Sequence, residues 1–455
     1  MFVCRVGIER GSGFVFLYAV EEFVVMFEKL KRTLWGNLSG EEFKRYSMLS
    51  VTLLFIIGTY WLMRPLKDGI FKAVVGVDYL PYAKIVSFAC ILPIVLGYAK
   101  LVDLVPKQRL FYILCGLYSF LFILISFLLR DPQIGLPNTV ASSDRLLGWF
   151  VYIAIESFGS LLVSLFWSFV ASNTDAASAK RGYGLIIFGA QIGSMAGPLI
   201  ATRAKSFGLP LLTLFVGMFL LVVPLLVKAF ITKYPSAAEG SVKGKKKTSP
   251  WEGLRLIFTR TYLLGVLAIS TIYEVVATYL DVNFKMLAGN YYTSNEAYTA
   301  YLGWFGFSTN FMTFILALVG TSYFIRRFGL TFCLVAYPCC ASLLLLLCTS
   351  FSTVLPVFFV SVLVMKALSY ALNNPCKEIM YIPTSKDVKF KAKSAIDMFG
   401  GRSAKATGAG ITAIAAQSFI FGSAISFAFI ILWAGSALFV GRKNKVLTES
   451  ANIIE

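Results

Sequence analysis

Apolar positions in this chain fall in long continuous runs with no strand-like alternation. About twelve runs approach the ~20 residues that carry a helix across a bilayer. They lie near 46–71, 80–103, 109–129, 146–172, 182–202, 208–230, 256–283, 297–324, 329–350, 353–375, 391–417 and 419–441. Continuous runs predict helices rather than a transmembrane barrel, so the predicted fold class is an all-α polytopic membrane protein. One sizeable polar stretch, 231–255, interrupts the middle with Gly240, Gly244, the lysine run 245–247 and Pro250. The predicted organisation is a cytoplasmic segment 1–45, a six-helix half 46–230, a basic linker 231–255, a second six-helix half 256–441 and a cytoplasmic tail 442–455.

A faint internal repeat accompanies that division. Gly189-Ala190-Gln191-Ile192-Gly193 through Gly197 and Ile200 aligns without gaps on Gly400-Gly401 through Gly408 and Ile411. Both stretches follow a basic loop and open a helix rich in small residues, which let backbones approach closely inside a membrane. Parallel repeats of six spans are the major-facilitator pattern, with the substrate between the halves near the midplane.

Composition agrees: of 455 residues, 58% are hydrophobic and 14% charged, and the mean hydropathy is +0.75. A net charge of +19 would suggest nucleic acid in a soluble protein. Here the positive-inside rule accounts for most of it, and no nucleic-acid partner is expected. With the N-terminus inside, basic residues crowd the inner connections, from Lys29, Lys31, Arg32, Lys44 and Arg45 through Arg326, Arg327, Lys386, Lys389, Lys391 and Lys393 to Arg442, Lys443 and Lys445. The outer connections hold only Lys72, Arg130, Arg145, Arg203, Lys205 and Lys285, so both termini are predicted to be cytoplasmic. The lysine cluster of 231–255 is expected to anchor on anionic lipid. The first ~28 residues read as an amphipathic surface helix, or as an addition upstream of the true start at Met26.

The chain has no histidine, and its cysteines lack ligand spacing. Histidine relays and triads are excluded, and no metal or cofactor is expected. There is no phosphate-binding Gly-x-x-x-x-Gly-Lys-Ser/Thr motif, so a carrier is implied rather than a nucleotide-driven pump or an enzyme.

The candidate chemistry lies in charges within or at the ends of apolar spans, each costing roughly 2.5–3.5 kcal/mol at a helix centre on the gentlest scale. Four stand out: Lys67, Glu156, Glu274 and Lys377. Glu156 is ~15 Å into its span, near mid-membrane, with Ser157, Gly159, Ser160 and Ser164 as a polar stripe. Glu274 is read as nearer the outer end, with Asp281 and Asn283 further out. Arg64-Pro65-Leu66-Lys67-Asp68 either ends the first helix with Lys67 snorkelling or continues the apolar pattern through Ile70 and Phe71. Asn373-Asn374-Pro375 is expected to break its helix, exposing backbone groups beside Lys377 and Glu378, or simply to end it. Asp397, Arg402 and Lys405 are placed on one face of the eleventh span. Arg64, Lys67, Lys377, Arg402 and Lys405 outnumber Glu156, Glu274 and Asp397, a surplus suited to an anion and especially to phosphates. Tyr60, Tyr152, Trp167 and Tyr273 lie near these charges, as base-stacking groups or as ordinary core.

Over about residues 34–440 the chain resembles the ATP/ADP translocase (nucleotide transporter) family of obligate intracellular bacteria and plastids. The matching residues include Arg64 with Lys67-Asp68, Leu80-Pro81-Tyr82-Ala83-Lys84, and Glu156-Ser157-Phe158-Gly159-Ser160 with Leu165-Phe166-Trp167. The most specific run is Asn374-Pro375-Cys376-Lys377-Glu378 through Tyr381-Ile382-Pro383-Thr384-Ser385-Lys386-Asp387 to Ser394. The resemblance implies a twelve-helix carrier exchanging ATP for ADP across a bacterial inner membrane, working as a monomer. Its four charged residues needed for transport fall on Lys67, Glu156, Glu274 and Lys377, and its eleventh-helix pattern on Arg402 and Lys405. Arg64, Asp68, Asn374 and Asp397 complete the expected substrate-binding set. The chain departs from the family at Pro65 and Leu66 (Asp or Asn, then Thr), at Ala277 and Thr278 (Trp-Lys) and at Asn310 (Gly). A carrier of another nucleotide, NAD or a different phosphorylated metabolite, with proton coupling through Glu156, is the alternative.

Overall fold

The computed structural model describes residues 38–174, 176–235, 250–319 and 321–450. The lysine run 245–247 and the segment preceding Leu38 lie outside the described residues, as do the readings attached to them. The described chain is a bundle of long helices: α1 Gly40–Val74, α2 Leu80–Leu104, α3 Lys107–Leu128, α4 Leu146–Asn173, α5 Ala176–Ala201 and α6 Ala204–Lys233. A ten-residue helix, Pro250–Thr259, precedes α7 Thr261–Tyr291, α8 Asn295–Val319 and α9 Thr321–Ser350. The series ends with α10 Leu355–Met380, α11 and α12 Phe419–Glu449.

Eleven of these helices are long and apolar enough to cross a membrane. Of α1–α12 the exception is α11, which runs from Lys386–Ala395 through a π-helical stretch, Ile396–Gly400, into Gly401–Ile414. It covers most of the predicted eleventh span, but its lysines, Asp397 and Arg402 dilute its hydropathy.

Two helices continue where the sequence suggested an interruption. α1 is helical through Pro65 to Val74, with Lys67 and Asp68 buried. Ser39 caps its start, accepting a hydrogen bond from the Glu42 amide while the Glu42 carboxylate accepts one from the Ser39 amide. The Asn-Asn-Pro segment of α10 does not break the helix either. The backbone widens into a π-helical stretch, Ser369–Asn373, and resumes as α-helix from Asn374, with Pro375 in the first turn. The missing proline N–H falls where the π-helical stretch gives way to α-helix, so the helix runs on through Pro375. The predicted starts of the sixth and ninth spans coincide with kinks at Gly208 and Gly329, whose φ of 75° and 79° suits glycine.

Buried apolar side chains form two clusters. One is built from α1–α6 with Val282 and Ala300, the other from α7–α12 and the helix before them. The repeated glycines serve helix contact. Gly189, Gly193 and Gly197 of α5 lie against the α1 backbone at Ser50, Leu54 and Gly58. Gly408 of α11 lies against the α7 backbone at Val275, and Gly400 against Thr271. Gly401 has open space beside it and takes no part in this contact. The repeat thus packs the fifth helix on the first and the eleventh on the seventh.

Candidate functional site

A central cavity of about 500 Å³ is lined from α1, α2, α4, α7, α10 and α11. Seven cationic side chains face it (Arg64, Lys67, Lys84, Lys285, Lys366, Arg402 and Lys405) against three carboxylates (Glu156, Glu274 and Asp281). The surplus is four positive charges. Unpaired charge in such a low-dielectric interior is costly, and nearly every group has found a counter-charge or a hydrogen bond.

Lys67 donates to the Glu156 carboxylate, joining α1 to α4, and its ammonium sits 4.1 Å from the centre of the Tyr152 ring. Asp68 Oδ1 is 4.0 Å from the same ammonium. Lys405 of α11 pairs with Glu274 of α7 at 3.2 Å. The Arg402 Nη2 donates to Ser160 Oγ on α4 at 2.9 Å. Asp281 is the most crowded anion, receiving Lys366 at 2.5 Å, Lys84 at 3.0 Å and Lys285 at 3.1 Å. Lys285 also reaches Asp68 at 2.8 Å.

Arg64 differs from the rest. Among the described residues its guanidinium makes no ion pair and no hydrogen bond; it rests 4.7 Å from the Trp61 ring centre and 5.8 Å from that of Tyr60. Aromatic faces hold such a cation without using its five N–H donors. Those donors are available to a ligand in the cavity.

Of the residues expected from sequence, Arg64, Lys67, Glu156, Glu274, Asn374, Arg402 and Lys405 line this one cavity. Asp68 lies behind the wall, held by Lys285. Lys377 also stands off the cavity. Its ammonium is 4.1 Å from the centre of the Tyr273 ring and 3.5 Å from the Ser270 carbonyl oxygen, and Tyr273 itself is a wall residue. The Asp397 side chain lies outside the described residues, so its expected face-sharing with Arg402 and Lys405 does as well. Of the aromatics, Tyr60 and Tyr273 face the cavity; Tyr152 is buried under Lys67, and Trp167 packs on Tyr183 in the core. The polar stripe of α4 divides: Gly159 and Ser160 face the cavity, while Ser157 turns to Tyr118 and Ser164 bonds back to the Ser160 carbonyl.

Three positions need correction. Glu274 is ~20 Å into α7 and stands in its middle rather than toward its outer end. Lys285 is no outer-loop residue; α7 extends to Tyr291, and Lys285 is buried inside it. Asp281 was expected further out and is instead the hub of the largest ion cluster. Sequence reasoning assigned no site role to Lys84 or Lys366. Both lie within apolar stretches of their helices, so the cost that drew attention to Lys67 was also the signal for them.

The family described as TLC ATP/ADP transporter matches residues 21–144 and 145–437. ADP,ATP carrier protein 1 of Rickettsia prowazekii (strain Madrid E) is 25% identical over 92% of this chain and 97% of its own length. The protein of that name from Chlamydia muridarum (strain MoPn / Nigg) is 25% identical over 90% of each chain. The chloroplastic ADP,ATP carrier protein 1 of Arabidopsis thaliana is 24% identical over 90% of this chain and 73% of its own. Among solved structures, a bacterial homologue of the iron transporter ferroportin in an inward-facing state superposes with a TM-score of 0.64 at 16% identity, covering 87% of this chain and 98% of that one. The nucleoside transporter NupG gives 0.52 at 11% identity, covering 90% and 99%. These likenesses bear on the fold, which is that of a multi-pass, major-facilitator-like transporter. The match across nearly the whole length places the chain in the TLC ATP/ADP transporter family.

Proposed function

We propose that the protein is a carrier exchanging nucleotides, ATP for ADP, by alternating access around the central cavity. The supporting observation is the cavity's charge: a surplus of four cations, with the Arg64 guanidinium unpaired toward the space. A polyphosphate brings several negative charges and acceptor oxygens in one small ligand and matches that surplus. Lys67, Glu156, Glu274, Arg64, Asn374, Arg402 and Lys405 form the binding wall. Lys377 supports Tyr273 from behind, and Asp68 and Asp397 complete the expected set. The pairs Lys67–Glu156 and Lys405–Glu274 satisfy the empty cavity, and incoming phosphates compete with the two carboxylates for those ammonium groups. A carrier that reorients readily only when loaded is an exchanger.

The six-plus-six division fits this reading, since the two apolar clusters and the two matching glycine contacts give each half its own core. On this reading both termini are cytoplasmic, the membrane is a bacterial inner membrane and the carrier is a monomer. The loops between α1 and α2 and between α7 and α8 then face outward. The Lys84–Asp281 and Lys285–Asp68 pairs close that side, and Lys72 adds a hydrogen bond to the Tyr292 carbonyl at 2.6 Å.

Ala277 and Thr278, two of the departures from the family pattern, both face the cavity. That observation favours a second reading, in which the same cavity takes another nucleotide, NAD or a different phosphorylated metabolite. A competition panel on reconstituted protein separates the two. ATP and ADP are expected to displace labelled ATP far better than NAD, other nucleotides or a proton gradient alone can drive its uptake. Preferential displacement by one of the others assigns the cavity to that substrate.

A further inference from the structure

Glu274, Thr278, Asp281 and Lys285 recur along α7 at intervals of four, three and four residues. All four line the central cavity from one helix face. Glu274 and Asp281 are ~10 Å apart along that face, so α7 supplies the cavity with two separate anion centres. Around Asp281 a single carboxylate holds three ammonium groups. Lys366 is on Oδ1 at 2.5 Å; Lys84 at 3.0 Å and Lys285 at 3.1 Å are on Oδ2.

The three lysines are not equivalent. Lys285 has a second carboxylate, Asp68, at 2.8 Å, and its side chain is 8% exposed. Lys84 and Lys366 have no other carboxylate among the described residues, and their side chains are 17% and 21% exposed. Removing Asp281 from contact would leave Lys285 paired and the other two without an anion. Two ammonium groups sharing one single-charge carboxylate are undercompensated, whereas a terminal phosphate carries more charge and three acceptor oxygens.

We propose that Lys84 and Lys366 form the subsite for the terminal phosphate of the transported nucleotide, with Asp281 as the internal anion that occupies it in the empty carrier. The proposal rests on the nucleotide reading above and adds a means of counting phosphates. When the terminal phosphate arrives, Lys84 and Lys366 turn to its oxygens, and Asp281 remains neutralised by Lys285. A nucleotide without that phosphate leaves both lysines on Asp281.

The test measures competition by ATP and by AMP for labelled nucleotide exchange in vesicles containing the full chain. Wild type is expected to bind ATP more tightly than AMP. Lys84→Gln and Lys366→Gln are each expected to weaken ATP about tenfold more than AMP. Asp281→Asn, which removes the competing anion, is expected to shift the ATP-to-AMP ratio the opposite way. A merely structural ion cluster would weaken both competitors alike, and that result in the two lysine variants overturns the subsite. If the lysine variants do not reach the membrane, an unchanged ratio in Asp281→Asn overturns it, as does equal competition by ATP and AMP on wild type. A wild-type protein that exchanges no nucleotide defeats the underlying reading instead, and the subsite with it.

Discussion

At the residue scale the site is a set of charges inside the bundle in which, among the described residues, Arg64 alone has neither a counter-charge nor a hydrogen bond. Arg64 presents its donors to the cavity from between Trp61 and Tyr60. A lysine there would keep the charge but lose the planar fork that meets phosphate oxygens two at a time. Arg64→Lys is therefore expected to raise the KM for ATP about tenfold, roughly 1.4 kcal/mol, while the protein folds and inserts as before. An unchanged KM in reconstituted exchange would show that the guanidinium is not a ligand. The intramembrane charge penalty points in the sequence to Lys67, Glu156 and Glu274, which line the cavity, and to Lys377, which stands behind Tyr273; Lys84 and Lys366 pose the same penalty. Partners were not legible. Nothing in the spacing says that Asp281 collects lysines from α2 and α10, because those contacts join positions far apart in the chain. Lys285 was misplaced for a related reason: α7 stays helical beyond its apolar stretch, since Asp281 and Asp68 neutralise what a lone lysine could not.

At the element scale hydrophobic runs located nearly every helix, and small residues identified the closest contacts. The helices that deviate do so for local reasons. Proline at 65 and 375 suggested interruptions, yet α1 continues because burial and ion pairing hold its later turns, and α10 absorbs the change in a π-helical stretch. α11 is less apolar than the other spans because it supplies Arg402 and Lys405 to the cavity. The α5–α1 contact depends on glycine, since a side chain at Gly197 would collide with the α1 backbone at Gly58 and Leu62. Gly197→Leu is expected to destabilise the bundle by about 1–3 kcal/mol or more through overpacking. Thermal unfolding of the purified protein in detergent checks this, and an unaltered Tm would mean that α5 and α1 separate at no cost.

At the scale of the whole molecule the cores of α1–α6 and α7–α12 are distinct, and charged side chains from both meet at one cavity. The six-helix rhythm was visible in the sequence through the basic stretch 231–255 and the repeated glycines; the shape of the cavity depends on packing between distant helices and was not. On the proposed reading, the pairs Lys67–Glu156 and Lys405–Glu274 hold the unloaded carrier until a polyanion replaces the carboxylates. Exchange is the property this reading predicts most directly. The decisive measurement is uptake of labelled ATP by vesicles containing the purified protein, either loaded with ADP or left empty. Loaded vesicles are expected to accumulate label at least about tenfold faster, corresponding to ~1.4 kcal/mol of barrier. Equal uptake into empty vesicles, or none into loaded ones, would contradict the account.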